Sequence, residues 1–172
     1  MNEQFDAELL GRHFGFPDGG AMTRSSLVRL YTLLEGFDVT HVGLYAYLRS
    51  WRNSTDEKRL NTVWHSKAYM QAQSGLGRTS FNSKLRKLIE VGLVSELDSE
   101  VVANKKIWYV HDPLSRDQFI ERYPHLVAEF FKKAEQIEQS NTEDRERRKK
   151  LAEERLAEKI SELSAQNVQR EG

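Results

Sequence analysis

The sequence predicts a mainly α-helical fold with one small β-hairpin and a helical extension behind it. Three observations point there. Apolar residues recur at three- and four-residue spacing in several short segments. Two β-prone runs, residues 93–97 and 107–110, flank a polar stretch ending "ANKK". Beyond Pro113 the spacing is helical again, and charge density is high.

Bulk properties fit one modest core plus an appendage. Of 172 residues, 38% are hydrophobic and 30% charged, and mean hydropathy is -0.68. The chain has no cysteine, which excludes a disulfide framework and a thiolate metal site. No apolar run approaches the ~18 residues of a membrane span. The acidic N-terminus "MNEQFDAELL" lacks a signal-peptide pattern, so a cytoplasmic location is expected. The net charge of zero hides a division. Residues 24–110 hold 13 Lys/Arg against 8 Asp/Glu, a net of +5. The flanks, 1–23 and 111–172, are net acidic at −3 and −2. A basic middle suits a nucleic-acid module.

In chain order, residues 1–23 contain "GFPDGG" and read as a flexible arm. Residues 26–34, "SLVRLYTLL", fit either a strand or a short helix. Thr40 is expected to cap a helix over 40–51, with Val42, Tyr45 and Leu48 inward. Tyr45 and Tyr47 cannot both face the core. Residues 52–61 read as polar loop and 62–64 as a short strand. Ser66 is placed to cap a helix to about Gln73, with Ala68, Tyr69 and Ala72 inward. "SGLG" then turns the chain, burying Leu76. From Arg78, Phe81, Leu85, Leu88 and Ile89 form one helical stripe, which Gly92 ends. The hairpin follows.

After Pro113, Phe119, Tyr123, Leu126, Phe130, Ala134 and Ile137 keep helical spacing, and Pro124 is placed to split that stripe into two helices. Residues 141–172 carry Leu156, Ile160 and Leu163 at heptad-like spacing, too few for a coiled coil to be assigned. "RERRKK", 145–150, fits a nucleic-acid patch or a solvated helix, because flanking acids allow i,i+4 pairing. The expected division is arm (1–23), DNA-binding domain (24–112), helical segment for packing or dimerisation (113–140) and charged helical tail (141–172).

Helix, helix, turn, helix, hairpin is the order of a winged helix-turn-helix. The second helix of that motif has a width that fits the DNA major groove. With Phe81, Leu85 and Leu88 inward, its outward set is Arg78, Thr79, Ser80, Asn82, Ser83, Lys84, Arg86 and Lys87. Arg78 and Asn82 are candidate base readers, since arginine bonds guanine and asparagine bonds adenine bidentately. Thr79, Ser80 and Ser83 suit bases or phosphates. Lys84, Arg86 and Lys87 suit phosphates, as do Lys105 and Lys106 at the hairpin tip. A solvated or protein-binding face is the alternative.

Residues 74–94 resemble the winged-helix pattern G-small-S-x-x-T-V/F-x-x-x-L/I-x-x-L-x-x-x-G-L-I/V of bacterial regulators and replication proteins. The matches are Gly75, Ser80, Phe81, Leu85, Leu88, Gly92, Leu93 and Val94. Gly77 stands where that pattern has a serine cap. Upstream, "LVRLYTLLEGFDVTHVGLYAYLRSWRN" and "VWHSKAYMQAQSG" are similar to the N-terminal domains of Gram-positive plasmid and phage replication initiators and of DnaD-like primosomal proteins, with His65 replacing a proline. The resemblance spans about residues 26–110. It implies sequence-specific binding of double-stranded DNA in replication initiation or its control; transcriptional regulators share the scaffold.

No activated nucleophile or acid–base pair is legible, so no enzymatic activity and no cofactor are expected. No two histidines have the i,i+4 spacing of a helical zinc pair. "GLG" lacks the P-loop Lys-Ser/Thr. Trp51, Trp64 and Trp108 read as core or half-core. The expected partners are double-stranded DNA, a second copy of the chain and replication proteins, with no membrane. The rival is a primosome-type protein-interaction adaptor with weak, non-specific DNA binding.

Overall fold

The computed structural model describes residues 23–99 and 102–170, with side chains as far as residue 161. The arm expected over 1–23 lies outside them except for Thr23, and so does the side chain of Leu163. The described residues fall into two compact units, divided between Pro124 and His125.

In the first unit, the segment that fitted strand or helix is helical. Helix α1 spans Ser25–Arg29 and a 3-10 turn spans Tyr31–Leu33, with Leu27 and Tyr31 buried. Helix α2 spans Val39–Ser50. Its N-cap is Asp38, not Thr40. The Asp38 carboxylate accepts the backbone N–H groups of Thr40 (2.9 Å) and His41 (3.3 Å). The Thr40 hydroxyl donates to the same oxygen. A carboxylate outcompetes a hydroxyl as acceptor for the orphan donors at a helix start. Within α2, Tyr45 takes the core position and donates to the His111 carbonyl at 2.7 Å, while Tyr47 stays half-buried.

Strand β1 is Thr62–Val63 and helix α3 is Lys67–Ser74. Ser66 caps α3 as expected, accepting the Tyr69 N–H at 3.2 Å. The inward residue of α3 is Met70, wholly buried, whereas Ala68 and Ala72 are exposed. Tyr47 explains the rotation. Its hydroxyl donates to Gln73 Oε1 at 2.8 Å, and this bond turns the Met70–Gln73 side of α3 toward α2. Gly75 caps α3 in the left-handed region (φ 70), where a side chain is strained. Leu76 is half-buried instead of buried.

Helix α4 spans Arg78–Glu90, and Gly92 (φ 76) leads into the hairpin. Strand β2 is Val94–Asp98 and strand β3 is Lys106–Val110. The sheet is antiparallel in the order β1-β3-β2, with Val63 opposite Trp108 and Glu96 opposite Trp108 from the other side. Its inner face closes on α2 and α4 through Val63, Val94, Trp108 and Val110, against Leu44, Leu48, Phe81 and Leu88. Trp51 and Trp64 are half-buried and Trp108 is core. The result is a mainly helical unit with a small three-stranded antiparallel sheet whose hairpin forms a wing, in the order α2, β1, α3, turn, α4, hairpin.

Helix α5, Arg116–Arg122, closes this unit. A capping box of Ser115 and Gln118 starts it, and Phe119 packs on Tyr31 with ring centroids 5.1 Å apart. Helix α6 then runs from Pro124 to Arg170, so Pro124 does divide the stripe. Proline suits the first helical position because its missing N–H has no intrahelical role there. Along α6, Phe130, Phe131, Ile137, Leu151, Leu156 and Ile160 are all exposed.

Candidate nucleic-acid interface

Helix α4 is seated by Phe81, Leu85 and Leu88, all essentially inaccessible. Its exposed residues are Arg78, Thr79, Ser83, Arg86 and Glu90, the last four spaced four, three and four. Those four make one solvent-facing row. Arg78 is exposed beside the start of that row.

The other expected contacts do not share this exposure. Ser80, Asn82, Lys84 and Lys87 are half-buried on the flanks. Lys84 Nζ donates to Thr40 Oγ1, tying α4 to the start of α2. The stem of Lys87 runs past Gly36, and its Nζ pairs with Glu90 at 2.7 Å. The buried stripe of a thirteen-residue helix has shoulders, and here one shoulder lies against α2. Asn82 Oδ1 is buried with no hydrogen-bond partner among the described residues. Bidentate reading of adenine needs both amide atoms, so Asn82 must change rotamer to read a base.

On the wing, the two lysines differ. Lys106 Nζ lies 2.5 Å from Asp98 and 3.9 Å from Glu96. The Asp98 hydrogen bond raises its pKa, so it stays charged but locally neutralised. Lys105 has no carboxylate partner among the described residues. Its Nζ lies 5.2 Å from the centre of the Trp64 ring. The Arg59 guanidinium lies over the same ring at 4.7 Å. Arg59 is absent from the contacts expected from sequence, because nothing local to "DEKRLN" shows that β1 brings it to the wing. Glu90 was equally unmarked, though its place three residues after Lys87 signals the pairing.

Two carboxylates brace the scaffold. The Asp38 carboxyl is held far below its ordinary range, first by the Thr40 hydroxyl and then by His41. Asp112 receives Arg49 and Arg52, the latter at 3.1 Å. The Arg49 hydrogen bond is the main reason its pKa is lowered. Among the described residues no group of three or more His, Asp or Glu side chains is placed to hold a metal ion. No helix among them is long and apolar enough to cross a membrane.

Chemically, α4 and the wing offer hydroxyls, guanidinium groups and an ammonium group to an anionic or hydrogen-bonding surface. No protein-family model matches the chain, and no curated protein matches it. A solved structure described as "Structure of Rep-DNA complex" superposes with a TM-score of 0.44 at 16% identity, covering 70% of this chain and 92% of that one. A superposition of this quality bears on neither fold nor function, and both rest on the chain's own geometry.

Proposed function

We propose that the chain is a sequence-specific double-stranded DNA-binding protein that lays α4 in the major groove and has no catalytic activity. One observation carries this: the exposed row Thr79, Ser83 and Arg86, with Arg78 at its head, on a helix anchored by three buried residues. A rigid mount holds side chains at fixed spacing against base edges, and the N-terminal end of such a helix reaches deepest. Arg78 reads a base, Thr79 and Ser83 bond bases or phosphates, and Arg86 grips the backbone. Lys84 and Lys87 orient α4 more than they touch DNA.

The resemblance of residues 26–110 to plasmid and phage replication initiators supports a role in replication initiation or its control. Transcriptional regulation would use the same chemistry. One α4 reads few base pairs, so a homodimer doubles the site. The exposed Phe130 (48%) and Ile137 (60%), seven residues apart on one face of α6, offer it an apolar surface. Those residues also favour a second reading, an adaptor whose α6 binds a replication protein while DNA contact is weak and non-specific. Selection of bound sequences from a random duplex pool separates them. A consensus is expected for the wild-type chain and a degenerate one for Arg78→Ala. Recovery of no consensus by the wild-type chain overturns sequence-specific binding.

A further inference from the structure

We infer that Arg59, Trp64 and Lys105 form a second nucleic-acid contact, a clamp for the phosphates of one DNA strand at the wing end of the sheet. The inference rests on the DNA-binding reading and adds a grip that α4 does not supply. β1 runs antiparallel to β3 with Val63 opposite Trp108, so the chain leaving β1 at Trp64 heads toward the turn between β2 and β3. That turn carries Lys105. Two cations from distant loops therefore meet over one ring, Arg59 at 4.7 Å and Lys105 at 5.2 Å from its centre.

The arrangement is built. The loop bearing Arg59 is closed at its base, where the Asn53 N–H donates to the Thr62 carbonyl (3.0 Å) and the Asn61 N–H to the Asn53 carbonyl (2.8 Å). Asp56 caps the 3-10 turn Glu57–Arg59 by accepting the Lys58 N–H. The Trp64 indole N–H donates to Thr62 Oγ1 (3.1 Å), and that hydroxyl donates to the Arg59 carbonyl (2.5 Å). Lys105 is fixed through its carbonyl, which accepts the Ser99 N–H at 2.8 Å.

Charge selects the ligand. The two cationic atoms stand at most about 10 Å apart, about one Debye length in dilute salt, so they repel. The indole face offsets that repulsion only in part. Asp56, 3.7 Å from Arg59 Nε, is the one carboxylate paired with either cation among the described residues. The excess positive charge calls for an anion that spans both groups. A nucleic-acid strand, with its closely spaced phosphates, supplies one. The neighbouring Lys106 is already answered by Asp98 and Glu96 and adds little.

The test is a salt series of anisotropy titrations with the full chain and a mixed-sequence duplex. Each phosphate contact contributes about 0.9 to the slope of log affinity against log salt. Arg59→Ala and Lys105→Ala are each expected to lower that slope by about one. Trp64→Leu keeps both charges but removes the ring face, and it is expected to lower the slope as well, while Trp64→Phe retains it. Arg29→Ala, an exposed change of the same charge on α1, is expected to leave the slope alone. If Arg59→Ala and Lys105→Ala behave like Arg29→Ala while Arg78→Ala still relaxes base preference, the clamp is overturned and the α4 reading stands. If the wild-type chain shows no salt-dependent duplex binding, both fall. Should Trp64→Leu fail to fold by circular dichroism, the Arg59 and Lys105 slopes decide the matter.

Discussion

Arg78 and Glu90 sit at opposite ends of the exposed side of α4, and their charges oppose each other. Arg78→Ala should cost about 1–3 kcal/mol of discrimination at one base position, read as a relaxed consensus at that position alone. Glu90→Gln should do the reverse of a loss: it releases Lys87 and removes an anion facing the duplex. Tighter binding to every sequence, with a steeper salt slope, is the expected result. Asp112 carries a pH signature. Its carboxyl is held low chiefly by Arg49, so its contribution to stability is present above about pH 4, the ordinary carboxylate range. That contribution is lost as pH falls through the lower folded value. Asp112→Asn should lower Tm at neutral pH and flatten the acid decline. The group is half-exposed, so the effect should stay below about 1 kcal/mol. A thermal-melt series over pH checks both signs. The exposure of Arg78, Thr79, Ser83 and Arg86 was legible in the sequence, because the stripe of Phe81, Leu85 and Leu88 sets which side is buried. The half-burial of Lys84 was not, since its partner Thr40 belongs to another part of the chain, and that of Lys87 was not, since Gly36 lies beside its tip.

Among elements, α4 was the most readable. Its stripe of Phe81, Leu85 and Leu88 is long enough for periodicity to fix which side is buried. Phe81→Ala should cost about 3–5 kcal/mol by denaturant melting, because it empties a fully enclosed site beside Trp108. Gly75→Ala should cost about 1 kcal/mol for backbone reasons alone, since no atom lies near an added Cβ. A cap was legible at Ser66, where one candidate stood alone, whereas the Ser115 cap of α5 was not marked in the sequence. At the start of α2 two candidates compete, and the carboxylate of Asp38 displaces Thr40. The eight residues of α3 are too few for a period to show, and a tertiary bond, Tyr47 to Gln73, sets its rotation. Tyr31, in the 3-10 turn Tyr31–Leu33, packs on Phe119, a contact no local pattern encodes. The Arg59–Trp64–Lys105 group was hidden for the same reason: strand pairing, not spacing, assembles it.

For the molecule as a whole, α6 sets a test of assembly. Phe130→Glu with Ile137→Glu should turn a dimer into a monomer by light scattering; a wild-type monomer at every concentration would remove the homodimer proposal. The order of the sheet has a separate bearing on the whole. β1 and β2 each pair only with β3, and β3 is the last of the three in the chain. Until the ribosome has delivered Val110, therefore, neither outer strand has a partner, and the side of α4 meant for Trp108 lies open to solvent. A nascent chain cut short at Val94 holds every helix of the motif but lacks the sheet that closes over their inner side. The exposed row of α4 is therefore expected to take its final orientation only once β3 has paired, which limited proteolysis of ribosome-stalled chains ending before and after Val110 would check.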